Sequence, residues 1–149
     1  MVNIQLFEDK YLPEKMTPDA AAYDCRARKI VHHNDGRVEA FLGFKTEIPK
    51  GWKGKLLARS NICKHSWELA NGEGLIDCDF RGEWRAFFRP VPYFVGGFIM
   101  VNIQPFPYEE DERVCQIFFE RDENLSLNVV NKVSETIRGD DGFGTSGNK

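Results

Sequence analysis

Residues 38–48 read VEAFLGFKTEI, from Val38 to Ile48, and Pro49-Lys50-Gly51 ends the run. Apolar and polar side chains alternate along much of it, which is the period of a strand with one face buried. Outward from this stretch the same kind of run returns at short intervals. Val2–Phe7 (VNIQLF), Gly51–Ala58 (GWKGKLLA), Leu75–Phe88, Val114–Phe119 (VCQIFF) and Leu125–Val130 all read as strands. Short runs separated by Gly, Pro and Asp predict an all-β sandwich or barrel. One short helix is expected, with Ser60 as N-cap before NICKHSWELA and a stop near Asn71-Gly72.

One hairpin is well marked. Tyr93-Phe94-Val95 and Phe98-Ile99-Met100-Val101 flank Gly96-Gly97, a two-residue loop free to take positive φ at both positions. Its aromatic arms suit core or subunit-interface strands.

The chain has 149 residues, the size of one domain, with 42% hydrophobic and 13% aromatic residues for a core. A net charge of −3 with mixed signs gives no basic excess, so polymeric nucleic acid is not expected as the main partner. No apolar stretch approaches membrane-spanning length, and the N-terminus lacks a signal-peptide layout. The four cysteines, Cys25, Cys63, Cys78 and Cys115, form no C-x-x-C pair, and His32 and His33 lie far from His65. That spacing argues against zinc and for free thiols in a reducing cytosol. A cytoplasmic location is expected, or the host cytoplasm for a viral chain.

Several stretches could carry chemistry. In GLIDCDFRGE, Gly74–Glu83, a strand would put Asp77 and Asp79 on one face, where like charges need solvent, a basic neighbour, a metal or a water to activate. A solvated strand edge or turn explains the pair equally well. Arg59-Ser60 at a helix start suits an oxyanion, or is simply a capped helix. Ala20-Ala21-Ala22-Tyr23-Asp24 sets small residues before a carboxylate, and Arg113-Val114-Cys115-Gln116 leads into an apolar strand. The terminal RGDDGFGTSGNK, Arg138–Lys149, is too polar to hold itself in place, so it is a frayed tail or an arm that orders on a ligand.

Taken in order, AAAYD, ARSN, NGEGLIDCDFRGE, ERVCQ and RGDDGFGTSG resemble the five motifs of the trimeric dUTPase family, over about Ala20 to Gly147. The resemblance implies a jelly-roll-like β domain over residues 1–137 and a flexible arm over 138–149. It implies a homotrimer whose active sites take motifs one, two and four from one subunit, motif three from a second and motif five from a third. The implied reaction cleaves dUTP to dUMP and pyrophosphate with Mg²⁺ on the triphosphate. That reaction would keep uracil out of DNA and supply dUMP for dTMP synthesis.

Residue by residue, the resemblance implies that Asp77 activates the attacking water. Asn71, Gly74 and Ile76 would read the base, Phe80 would lie under the deoxyribose where tyrosine is usual, and Phe143 would cover the uracil. Arg59, Ser60, Gln116, Arg138, Gly144, Thr145 and Ser146 would hold phosphates, and Asp24 would reach the metal through water. Ala22, Ala58, Asn61 and Asp111 depart from the usual Gly, Pro, Gly or Ser, and Gly at those loop positions. The stretch Trp84–Tyr108 is longer than usual, which leaves room for trimer contacts or a regulatory partner. A dCTP deaminase shares the implied fold, but lacks this motif three and this tail.

Overall fold

The computed structural model describes residues 1–100, 104–123 and 125–139, with backbone alone for Tyr93, Phe94 and Met100. Among them the strands are β1 (Asn3–Leu6), β2 (Tyr23–Arg26), β3 (Lys29–His32), β4 (Val38–Phe41), β5 (Phe44–Glu47) and β6 (Trp52–Ala58). There follow β7 (Trp67–Leu69), β8 (Gly74–Ile76), β9 (Arg85–Pro90), β10 (Tyr93–Val95), β11 (Phe98–Met100) and β12 (Arg113–Arg121). Helix is limited, among the described residues, to 3-10 turns at Asp9–Tyr11 and Ser60–Lys64. The expected all-β class is what forms.

Two antiparallel four-stranded sheets make the body, in the orders β2-β12-β6-β8 and β3-β4-β9-β7. Buried side chains of both belong to one cluster, with Cys25, Leu56, Val114, Cys115 and Ile117 from the first, and Val38, Ala40, Trp67, Leu69, Ala86 and Phe88 from the second. The sheets are therefore two halves of a sandwich. Trp84, fully buried, packs on Phe44 and Phe119, and its indole N–H donates to Thr46 Oγ1 at 2.9 Å. Gly54 in β6 lets that ring approach: a Cβ there would lie 2.5 Å from it.

Several local expectations are corrected. Val38–Ile48 is two strands, because Gly43 takes φ +74 and turns the chain where the Tyr11 ring presses on it. Gly43 N–H donates to Glu83 at 2.9 Å, so the break is pinned from outside the run. Leu75–Phe88 likewise divides into β8 and β9 around a turn. The helix expected after Ser60 stops after five residues. Ser60 is its first residue rather than its cap, since Arg59 holds the cap position, with no side-chain bond to the helix. Trp67 and Leu69 bury themselves by pairing with Pro90 and Phe88 of β9, and that tertiary gain overrides the local helix signal.

Leu125–Val130 is not a strand. Its alternation is real, but Leu125, Leu127 and Val129 are 85%, 97% and 97% exposed, with no neighbouring strand to pair with among the described residues. The Gly96-Gly97 hairpin forms as expected, with φ of 58° and 86°. It stands as its own two-stranded sheet, and Val95, Phe98 and Ile99 are exposed, so these residues are not core of this chain.

Candidate active site

The site is best built from one rung of the first sheet. Gln116 on β12 lies opposite Asp24 on β2 and opposite Leu57 on β6. Residues paired across antiparallel strands project to the same face. The neighbours Cys25, Cys115 and Leu56 point into the core, so Asp24, Gln116 and Leu57 point outward. The same alternation carries Arg26 and Arg59 to the outer face.

Asp24 is a largely buried carboxylate held by cations. Arg59 Nε donates to it at 3.2 Å and Arg113 Nη1 approaches at 3.4 Å, while Arg59 Nη1 donates to the Arg113 carbonyl at 3.0 Å. Two guanidiniums around one carboxylate leave N–H donors facing outward, since each arginine carries five. Gln116 Nε2 donates to the Ala58 carbonyl at 3.0 Å, which fixes its amide on the rung. Ser60 is exposed directly after Arg59.

Two open hollows flank Asp24. One, of about 340 Å³, is floored by the small side chains Ala20, Ala21 and Ala22 and reaches Leu57 and Gln116. The other, of about 290 Å³, is lined by Arg26, Arg59, Asn61, Tyr108 and Arg113. The Tyr108 hydroxyl is buried there without an aligned hydrogen-bond partner, beside Asn61, and burial raises its pKa.

Asp77 lies elsewhere. β8 pairs with β6 at the far edge of the sheet, and Asp77 opens the turn that follows it. Phe80 N–H donates to the Asp77 carbonyl at 3.2 Å, and Arg81 Nη1 closes the turn on the carbonyls of Cys78 and Phe80 at 2.8 and 3.0 Å. The Phe80 ring folds over Gly82, where a Cβ would meet it at 2.5 Å. Glu83 anchors the loop to the body through two bonds to Arg28, at 3.0 and 2.9 Å. Asp77 and Phe80 remain exposed.

Before β8, Gly72 at φ +68 makes the bend and Asn71 lies over Gly74. Gly74 is buried against Leu56, where a Cβ would sit only 3.1 Å from the Leu56 Cβ, and Ile76 is half-buried.

The candidate residues thus form two groups within one chain. Asp24, Arg59, Ser60 and Gln116 form one group, on β2, just after β6, and on β12; Asn71, Gly74, Ile76, Asp77 and Phe80 form the other, around β8. Asp24 and the β8 group belong to opposite edge strands, three interstrand steps, about 14 Å, apart at backbone level, with β12, which carries Gln116, and β6, which leads into Arg59, between them. Arg138 is exposed near the end of the described residues; Phe143, Gly144, Thr145 and Ser146 lie outside them. Arg26 and Tyr108 were not singled out from sequence, and Arg113, quoted within ERVCQ, was given no role. Arg26 could have been, since it shares a strand face with Asp24.

A family model described as dUTPase matches residues 8–147. The chain belongs to the dUTPase family. The deoxyuridine 5'-triphosphate nucleotidohydrolase of Escherichia phage T5 is 31% identical to it, with all of both chains covered. One from Beijerinckia indica is 31% identical over 91% of this chain and 82% of its own length. Among solved structures, a dUTPase variant of Staphylococcus bacteriophage 80alpha with dUpNHpp superposes with a TM-score of 0.76 at 18% identity, covering 99% of this chain and 98% of that one. A variant dUTPase from phage phi11 of S. aureus, described with a coordinated structural Mg(II) ion, gives 0.67 at 17% identity, covering 89% and 97%. These likenesses establish that this dUTPase-family chain has the dUTPase fold.

Proposed function

We propose that this chain hydrolyses dUTP to dUMP and pyrophosphate as a homotrimer with shared sites. The observation that carries the reading is the family match over residues 8–147, which takes in both the Asp77 loop and the Asp24–Arg59–Gln116 face. Asp24 and the Asp77 loop sit at opposite sheet edges, too far apart to serve one phosphorus atom within a chain. A second copy that brings its Asp77 loop against the Asp24 face removes the difficulty. The exposed Leu125, Leu127 and Val129 supply apolar surface for such contacts.

In that assembly Asp77 accepts a proton from a water as it attacks the α-phosphorus, and pyrophosphate leaves on the opposite side. Arg59, Ser60 and Gln116 hold phosphate oxygens through N–H and O–H donors. Phe80 packs under the deoxyribose, where its ring excludes a 2′-hydroxyl. Asn71 and the backbone of Gly74 and Ile76 pair with the uracil edge, and cytosine leaves that pairing unmet at about 1–3 kcal/mol per unpaired group. Residues 138–149 close over the site, with Arg138 on the outer phosphate, Phe143 on the base, and Gly144, Thr145 and Ser146 along the phosphates.

The donor set fits Mg²⁺ held chiefly by substrate. No cluster of three metal-ligating side chains occurs among the described residues, and Asp24 is a single carboxylate whose oxygens already accept from Arg59 and Arg113. Asp24 would reach such an ion through water, as Mg²⁺ usually keeps several waters. When bound, the ion supplies positive charge to the triphosphate as negative charge shifts to the leaving group.

The test is to incubate the full chain and Mg²⁺ with dUTP, dCTP, dTTP and UTP. Pyrophosphate from dUTP alone is expected. Ammonia from dCTP, or turnover of none, overturns the proposal.

A further inference from the structure

Asp111 lies on the loop that leads into β12, and its φ is 67°. Among the described residues it is the one non-glycine residue in the left-handed region, which aspartate tolerates better than most residues but still disfavours. Its surroundings hold it there bond by bond. Its N–H donates to the Ala27 carbonyl at 2.7 Å, and Ala27 N–H donates to the Glu112 carbonyl at 2.9 Å. Its carbonyl accepts from Arg26 Nη1 at 2.8 Å. Its carboxylate accepts from the Tyr11 hydroxyl at 2.9 Å and from Lys10 Nζ at 3.1 Å. Tyr11 is a firm anchor, because its ring is 3% exposed and packs on Gly43.

The effect of this clasp falls two residues further on. Arg113 pairs with Arg26, but the β2–β12 register slips between Arg113 and Cys115, which sets this pair off from the regular ladder and next to the Asp111 bend. Arg113 in turn supplies the carbonyl that fixes Arg59 and a guanidinium beside Asp24. Arg26, Arg59, Asp111 and Arg113 all line the hollow of about 290 Å³.

We infer that Asp111 is a positioning residue for the phosphate-binding face: clasped by Tyr11 and Lys10, it keeps the bend that aims Arg26 and Arg113 beside Arg59 and Asp24. The kinetic consequence rests on the proposed dUTP hydrolysis; the geometric one does not. The test therefore uses two readouts on full-length Asp111→Ala, Asp111→Asn and Tyr11→Phe chains. One is water exchange of the Arg59 Nε–H group by ¹⁵N NMR, and the other is steady-state turnover of dUTP.

Asp111→Ala is expected to speed that exchange about tenfold and to raise KM about tenfold, with kcat within about threefold. Asparagine tolerates the left-handed region and keeps an oxygen for Tyr11, so Asp111→Asn should stay within about threefold of the parent in both. A purely structural role would lower the melting temperature and leave KM of the folded chain unchanged. Either readout unchanged in folded Asp111→Ala overturns the inference. Should that variant fail to fold, Tyr11→Phe decides, and parent-like values in it overturn the inference. A parent chain inert toward dUTP removes the proposed activity, and the Arg59 signal then decides alone.

Discussion

Replacing one oxygen of Asp77 by an NH₂ group removes its capacity to take a proton while leaving its size and its exposed turn unchanged. Because the turn is closed by backbone and Arg81 bonds rather than by the Asp77 carboxylate, Asp77→Asn should fold as the parent does. Turnover of dUTP should fall by about 10²–10⁴, with nucleotide affinity retained by calorimetry. At Asp111 the prediction concerns acid stability. Hydrogen bonding from Lys10, then from Tyr11, lowers the pKa of its carboxyl. A lowered folded-state pKa means the stabilisation is present above the ordinary carboxylate pKa, about 3.9, and is lost as pH falls through the lower folded value. Melting temperature followed from pH 6 to pH 2 should therefore drop less steeply for Asp111→Asn than for the parent.

β6 is the element that ties both halves of the site together, since it pairs with β12 on one side and β8 on the other. Gly54 lies within it with the Trp84 ring and the Ile48 Cδ1 methyl against it. Gly54→Ala should cost about 1–3 kcal/mol in chemical denaturation, by overpacking. At this scale the sequence was legible where information is local. The Gly96-Gly97 turn needs only two positive φ values, so the hairpin could be placed in advance; GLIDCDFRGE is contiguous, so its residues could be picked out, although the strand expected over Leu75–Phe88 hid the turn between β8 and β9. The Ser60 segment misled because its capping signal is local while the pairing of Trp67 and Leu69 with β9 is not. Leu125–Val130 misled in another way: alternation specifies a strand only where a partner strand exists. Arg26 escaped notice, and Arg113 was quoted without a role, because their placement depends on a register slip and a left-handed bend, neither written in any short pattern.

For the whole molecule, the proposed division between body and arm can be checked by removing residues 138–149. Among the described residues the core cluster draws on none beyond Phe119, so the truncated chain should fold and keep the oligomeric state of the parent. Its dUTP turnover should be crippled, as measured by pyrophosphate release. A fully active truncation would make the segment dispensable.

The placement of Asp24 and Asp77 on opposite edges of one sheet has a consequence for mixtures of damaged chains. If each site takes its loop from one copy and its phosphate face from another, a chain carrying Asp77→Asn still owns a sound face, and a chain carrying Arg59→Ala still owns a sound loop. Each variant alone should be nearly inert. Unfolded together and reassembled at equal amounts, they should regain activity in about one quarter of the sites, where sound meets sound by chance. Two defective alleles expressed in one cell would then rescue each other, whereas two defects on the same edge would not.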